Sequence, residues 1–192
     1  VPYSFQFIAK GLIIKDQNGS YTIGADGSIL SRLSNSGVPI WTKIYAPNAN
    51  TKYDHLGDFV QLKNGQYLFS GTRAFNTPSG YFQHPVLIKY NTNGDTLFSK
   101  VLTINNWQHR EDNWFSNVIE TRLGDYLFTG RDDTTGTAKW KFFLTKVGPQ
   151  LNIKWTYFNK GILKDYSISK VQELADSSFI VLARARYGLA SN

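Results

Sequence analysis

Ten residues, 105–114 (NNWQHREDNW), gather two tryptophans, a histidine, an arginine, a glutamate and an aspartate. Flat aromatic faces beside polar forks are the usual means of gripping sugar rings, by stacking against C–H groups and hydrogen bonding to hydroxyls. Trp107, with Tyr53 or Tyr81, supplies such platforms, and Arg110, Asp112, His84 and His109 supply the polar contacts. These seven residues form the candidate ligand surface. A plainer reading of the same stretch has Trp114 and Phe115 begin a buried strand, with Trp107 sealing the space between neighbouring sheets.

Other chemistries find less in the chain. A metal site from His55, His84 and His109 with Asp54 or Asp58 needs three loops to converge, and no HxH or HExxH spacing is present. Asp125 with Asp132 and Asp133 lacks the DxDxDG spacing of a calcium loop. Catalysis by paired carboxylates needs two acids across one cleft, and spacing alone does not pair Asp54, Asp58, Asp112 or Asp165. There is no GxSxG, P-loop or dinucleotide fingerprint and no cysteine, so neither a thiol nucleophile nor a disulfide is available. The residues favour binding over catalysis, and no cofactor is called for.

The formal net charge is +7, from 21 basic and 14 acidic residues. Such a balance can attract nucleic acid or acidic polysaccharide. The lysines are scattered singly (Lys10, Lys15, Lys43, Lys63, Lys89, Lys100) on the outward phase of strands, which reads as a solvated face and gives no nucleic-acid stripe. No apolar run approaches a membrane helix in length. Methionine is absent, so the chain is expected to begin after processing or to be a piece of something longer.

The elements that must position these residues are strands. From Asp58 to Leu102 four short runs alternate apolar and polar residues, and Asn64-Gly65 and Asn93-Gly94 read as two-residue hairpin turns with positive φ. The pattern recurs. Leu30, Leu87 and Leu144 are spaced by 57 residues, as are Trp41, Phe98 and Trp155, while Tyr67, Tyr126 and Phe179 match with more variable spacing. Constant core positions with variable loops mark a repeat. The expected fold is all-β: a β-propeller-like repeat of four-stranded antiparallel blades, about three and a half in an incomplete ring, within one domain spanning 1–192. The copies fall at about 11–46, 57–104, 115–158 and 167–192. One set of connections is uniformly short. The other is long (47–58, 73–85, 105–114, 131–141 and 159–167) and carries all three histidines, so function is expected on that face.

The phrases KNGQYLFSGT, LIKYNTNGDTLFSK and LSNSGVPIWTKIY resemble repeats of secreted and surface proteins of Bacteroidota, often cargo of the type IX secretion system. The resemblance covers about residues 11–183 and implies a β-propeller in an extracellular or outer-membrane-surface location. It defines no catalytic residues. The expected role is a non-enzymatic binding or scaffolding module whose long-loop face contacts polysaccharide or a cell-surface protein, with further blades from the same parent chain. The alternatives are a polysaccharide-acting hydrolase and a structural subunit of an outer-membrane or surface complex.

Overall fold

The computed structural model describes residues 12–15, 21–25, 29–44, 51–77, 80–102, 114–132, 141–159 and 165–186. All regular structure among them is β. The first sheet is β1 (Leu12–Lys15), β2 (Tyr21–Ala25), β3 (Ile29–Leu33) and β4 (Pro39–Ile44), in that spatial order. The second is β5 (Thr51–Gln61), β6 (Tyr67–Thr77), β7 (Gly80–Tyr90) and β8 (Thr96–Val101). The third is β9 (Trp114–Glu120), β10 (Tyr126–Asp132), β11 (Lys141–Val147) and β12 (Ile153–Phe158), and β13 (Asp165–Glu173) pairs with β14 (Phe179–Arg186). Every pairing is antiparallel between chain neighbours, as the alternating runs require. The first strands lie nearest one another across sheets: β1 meets β5, β5 meets β9, and β9 meets β13. No closed ring forms among the described residues.

Two-fold alternation along the central strands explains why the sheets stack. In β6 and β7, Tyr67, Phe69, Val86, Ile88 and Tyr90 are buried with Leu30 against the first sheet. Their neighbours Leu68 and Leu87 point the other way and are buried with Val118, Tyr126, Phe128 and Phe143 of the third sheet. The third sheet repeats the scheme, sending Leu127 and Leu144 to Val171 and Phe179 of the fourth. A sheet apolar on both faces is stable only between two others. That is why the sequence shows large residues in both phases.

The hairpin turns differ from the expected two-residue type. In each, two backbone bonds enclose three residues: Leu62 N–H donates to Gln66 O at 2.8 Å and Gly65 N–H to Leu62 O at 2.8 Å. The same pair of bonds recurs at 34–38, 91–95, 121–125, 148–152 and 174–178. Asn64 and Asn93 are absent from the residues with positive φ, and only the third turn residue is left-handed, at Gly37, Gly65, Gly94 and Gly124. This is a type I turn followed by a left-handed bulge residue, and asparagine side chains cap it: Asn64 Oδ1 accepts from the N–H of Gln66, and Asn91 Oδ1 from the N–H groups of Asn93 and Asp95.

Two turns place a side chain where glycine is preferred, Leu151 (φ 59°) and Ser177 (φ 65°). Leu151 is buried in the seam between the second and third sheets, which offsets its backbone strain. Ser177 is exposed and has no such compensation. Ser177→Gly should therefore stabilise the fold by about 0.5–1 kcal/mol, read as a rise in urea midpoint at constant slope. Gly94→Ala has the opposite sign. An added Cβ would sit 2.8 Å from Trp41 Cζ3 and 2.9 Å from Cη2, on top of the left-handed φ of 79°. It should cost about 2 kcal/mol, against about 1 kcal/mol for Gly124→Ala, where nothing lies within 4 Å.

Candidate functional site

The second sheet is longer than its counterparts. β5, β6 and β7 each run 11 residues, whereas β9, β10 and β11 run seven. Among the described residues the extra four or so carry the second sheet roughly 13 Å past the ends of the third. This corrects the expectation of long loops at 47–58 and 73–85: residues 51–58, 73–77 and 80–85 are strand. The physical reason is visible in register. β6 and β7 pair along their whole length, setting Thr77 opposite Gly80, Asn76 opposite Tyr81 and Phe75 opposite Phe82. β-branched and aromatic residues placed opposite one another favour continued pairing over an open loop.

Pro85 marks where the projection starts. Its carbonyl accepts the N–H of Leu102 at 2.8 Å, the last contact before the chain leaves β8. The missing proline N–H faces the same side as this carbonyl, so only the reciprocal bond to Leu102, just past the end of β8, is forgone, and proline is tolerated where the β7–β8 ladder stops. Beyond it the projection has three strands, with β7 as its edge.

Register brings several candidate residues together. Asp54, Arg73 and His84 occupy one cross-strand row of β5, β6 and β7. The next row holds Tyr53, Ala74 and Gln83, and Tyr81 lies two further rows out, opposite Asn76. Tyr53, Tyr81 and His84 are thus on one projecting sheet end, with the two tyrosines in the strand phase opposite to that of Asp54, Arg73 and His84. Arg73 and His84 are both partly buried, and burial lowers the pKa of the imidazole from its ordinary value, which favours the neutral ring at neutral pH. A guanidinium beside a neutral imidazole offers donors and an acceptor but no paired acid and base. The row suits hydrogen bonding to hydroxyls or a carboxylate. Trp107, His109, Arg110 and Asp112 lie outside the described residues.

Arg73 was not singled out from the sequence. The signal was available, since folding the hairpin about Pro78-Ser79 brings Arg73 opposite His84. It was hidden by reading 73–85 as a loop.

Asp58, one of the acids considered for catalysis, has a structural role instead. An extra residue bulges three of the four first strands at the same repeat position, Gly57 in β5, Ser116 in β9 and Ser169 in β13. Next to the first of these bulges, Asp58 reaches across the seam. Its Oδ2 accepts the N–H of Val118 at 3.0 Å and its Oδ1 that of Phe59 at 2.9 Å. Desolvation outweighs both bonds and pushes its pKa up to about 6. Asp125 is likewise tied within the fold, by Lys154 at 2.6 Å and Lys146 at 3.3 Å; the Lys154 hydrogen bond, followed by Lys146, holds its carboxyl below the usual range. Among the described residues no three metal-ligating side chains cluster.

No protein-family model and no curated protein matches this chain. A solved structure does: a protein of unknown function from Bacteroides caccae, at a TM-score of 0.58 and 12% identity over 88% of this chain. The match spans 51% of that protein, so this chain corresponds to about half its length. The likeness is one of fold. It agrees with the all-β fold.

Proposed function

We propose that this chain is a non-enzymatic binding module of a secreted or outer-membrane-surface Bacteroidota protein, and that the projecting end of the second sheet contacts glycan or a cell-surface protein. The observation that carries the proposal is the overhang itself. Three strands run past the described ends of their counterparts and set Tyr53, Arg73, Tyr81 and His84 in neighbouring cross-strand rows of one sheet end. In this reading the sheets are blades of a propeller, which is supported by the 57-residue recurrence and by first strands that neighbour one another. Closing such a ring takes more sheets than these, supplied by the parent polypeptide.

The test is a glycan array probed with the purified chain, followed by titration of any hit. Tyr81→Ala and His84→Ala should each weaken binding about tenfold, near 1.4 kcal/mol, with unchanged unfolding midpoints. Release of reducing ends from the bound glycan would instead favour the hydrolase reading. Retention of full affinity by the double variant would remove the overhang as the contact surface.

A further inference from the structure

Arginines gather at one end of the stacked sheets. The second strands of the second, third and fourth sheets share a register: Tyr67, Tyr126 and Phe179, each the first residue of its strand, lie opposite Gln61, Glu120 and Glu173, each the last of the strand before. Counted from there, Arg131 and Arg184 stand sixth in their strands, Arg73 seventh and Arg186 eighth. All four thus lie at the end remote from the tight turns 62–66, 121–125 and 174–178, which is the end from which the second sheet projects. Arg73 is at the foot of that projection, since its counterpart in the third sheet, Asp132, is the last residue of β10.

Strand alternation spreads these arginines out. Arg73 is in phase with Tyr67 and Phe69, which pack toward the first sheet, and Arg131 with Leu127, which packs toward the fourth. Both are partly exposed. Stacked sheets sit roughly 10 Å apart, so Arg73, Arg131 and Arg184 cross this end of the molecule in steps of about that length or more. An extended chain reaches all three, whereas a single sugar reaches one. Acids are interleaved with them: Asp54 opposite Arg73, Asp132 next to Arg131 and Asp165 opposite Arg186. Such mixed charge suits a polymer that carries hydroxyls as well as anions. A guanidinium fork grips a carboxylate with two parallel bonds, and an aspartate accepts from a hydroxyl. Duplex nucleic acid carries about one charge per 1.7 Å and would press phosphates onto the three aspartates.

We infer that the ends of the second, third and fourth sheets together bind an acidic polysaccharide whose charge lies on uronic-acid carboxylates, with Arg73, Arg131 and Arg184 as its anion contacts. The inference rests on the binding role proposed for the projecting sheet end. It adds the class of ligand and carries the contact surface across two further sheets. The rows that hold Tyr53 and Tyr81 rise beside the path, beyond Arg73.

Calorimetric titration of the parent chain with polygalacturonate, and with the same polymer fully methyl-esterified, tests this without any variant. Polygalacturonate should bind, and the neutral ester should bind about tenfold more weakly. Raising salt to about 0.5 M should weaken polygalacturonate by about as much, because exposed charges are then screened. Arg131→Gln and Arg184→Gln, both outside the second sheet, should each weaken it several-fold at unchanged unfolding midpoint. Arg131→Lys should recover only part of the loss, since an ammonium lacks the fork. Equal binding of acid and ester, binding indifferent to salt, or glutamine variants that bind like the parent would each overturn the inference. Tighter binding of dextran sulfate or of an oligonucleotide than of polygalacturonate would overturn the uronate as ligand. A neutral glycan whose binding depends on Tyr81 and His84 but not on Arg131 would sink the inference and leave the proposed function standing. Binding lost in the glutamine variants yet full in the Tyr81→Ala, His84→Ala double variant would uphold the arginine path and remove the overhang.

Discussion

Leu127→Ala should destabilise the protein by about 3–5 kcal/mol, whereas Ile180→Ala, at the same repeat position one sheet later, should cost under about 0.5 kcal/mol in dilute solution. Both residues are aliphatic, both follow the first residue of a second strand, and both face the succeeding sheet. Leu127 is fully buried and packs in the cluster formed by Leu144 and Val171, with Ile119, Phe142 and Val181 at its margin. Removing its branched end leaves a void that strands on both sides cannot collapse into without breaking ladder bonds. Ile180 is 57% exposed, so truncation removes little buried surface. Urea unfolding measures both. Equal costs would mean that the stacked seams do not supply the stability.

The second large effect is on pH. Asp58 has a folded pKa of about 6, above the value of 3.8 for the free side chain. The native state therefore holds this proton more tightly than the unfolded chain does. Its contribution is fully present below pH 3.8 and is lost as pH rises through 6, a loss of about 3 kcal/mol by pH 7 for a shift of this size. Asp125 acts with the opposite sign. Its folded pKa is depressed, chiefly by the Lys154 hydrogen bond, so its stabilisation is present above the unfolded value and fades as pH falls through the folded one. Stability should thus peak in mildly acidic solution and decline between pH 4 and 7. Unfolding free energies at pH 4.5, 5.5 and 7 give the slope. Asp58→Asn should flatten it, because the amide carries no proton to lose and still accepts one of the two N–H groups. A parent protein with no decline across that interval would contradict a desolvated Asp58.

Much of the fold was legible before any coordinates. Leu30, Leu87 and Leu144 recur at one interval because each seals the seam to the next sheet, and a residue with one fixed partner environment cannot drift in spacing. The turn glycines were legible too, though not their turn type. Asn-Gly suits both a two-residue turn and a three-residue loop with a terminal bulge, and the strands' twist selects between them. Gly94 shows the same division. Its dipeptide marks a turn, but the Trp41 ring lying against it belongs to another sheet.

The candidate site was less legible. Tyr53, Tyr81 and His84 were recognised as residue types suited to ligand contact, but they were assigned to loops. Whether RAFNT and GYFQH pair or splay depends on what lies beyond the stacked core, and that is a property of the neighbouring sheets. Asp58 is the sharpest case. In sequence it is one acid among several on the elaborated side. A bulge at Gly57 aims it across a seam to Val118, 60 residues on, and burial there sets its protonation. Sequence alone determined the alternation, the repeat interval and the turn positions, because these follow from contacts a strand makes with its chain neighbours. Only the tertiary structure decided which faces are covered, which strands overrun the core and which carboxylate is desolvated, because these depend on sheets brought together across 50 or 60 residues of chain.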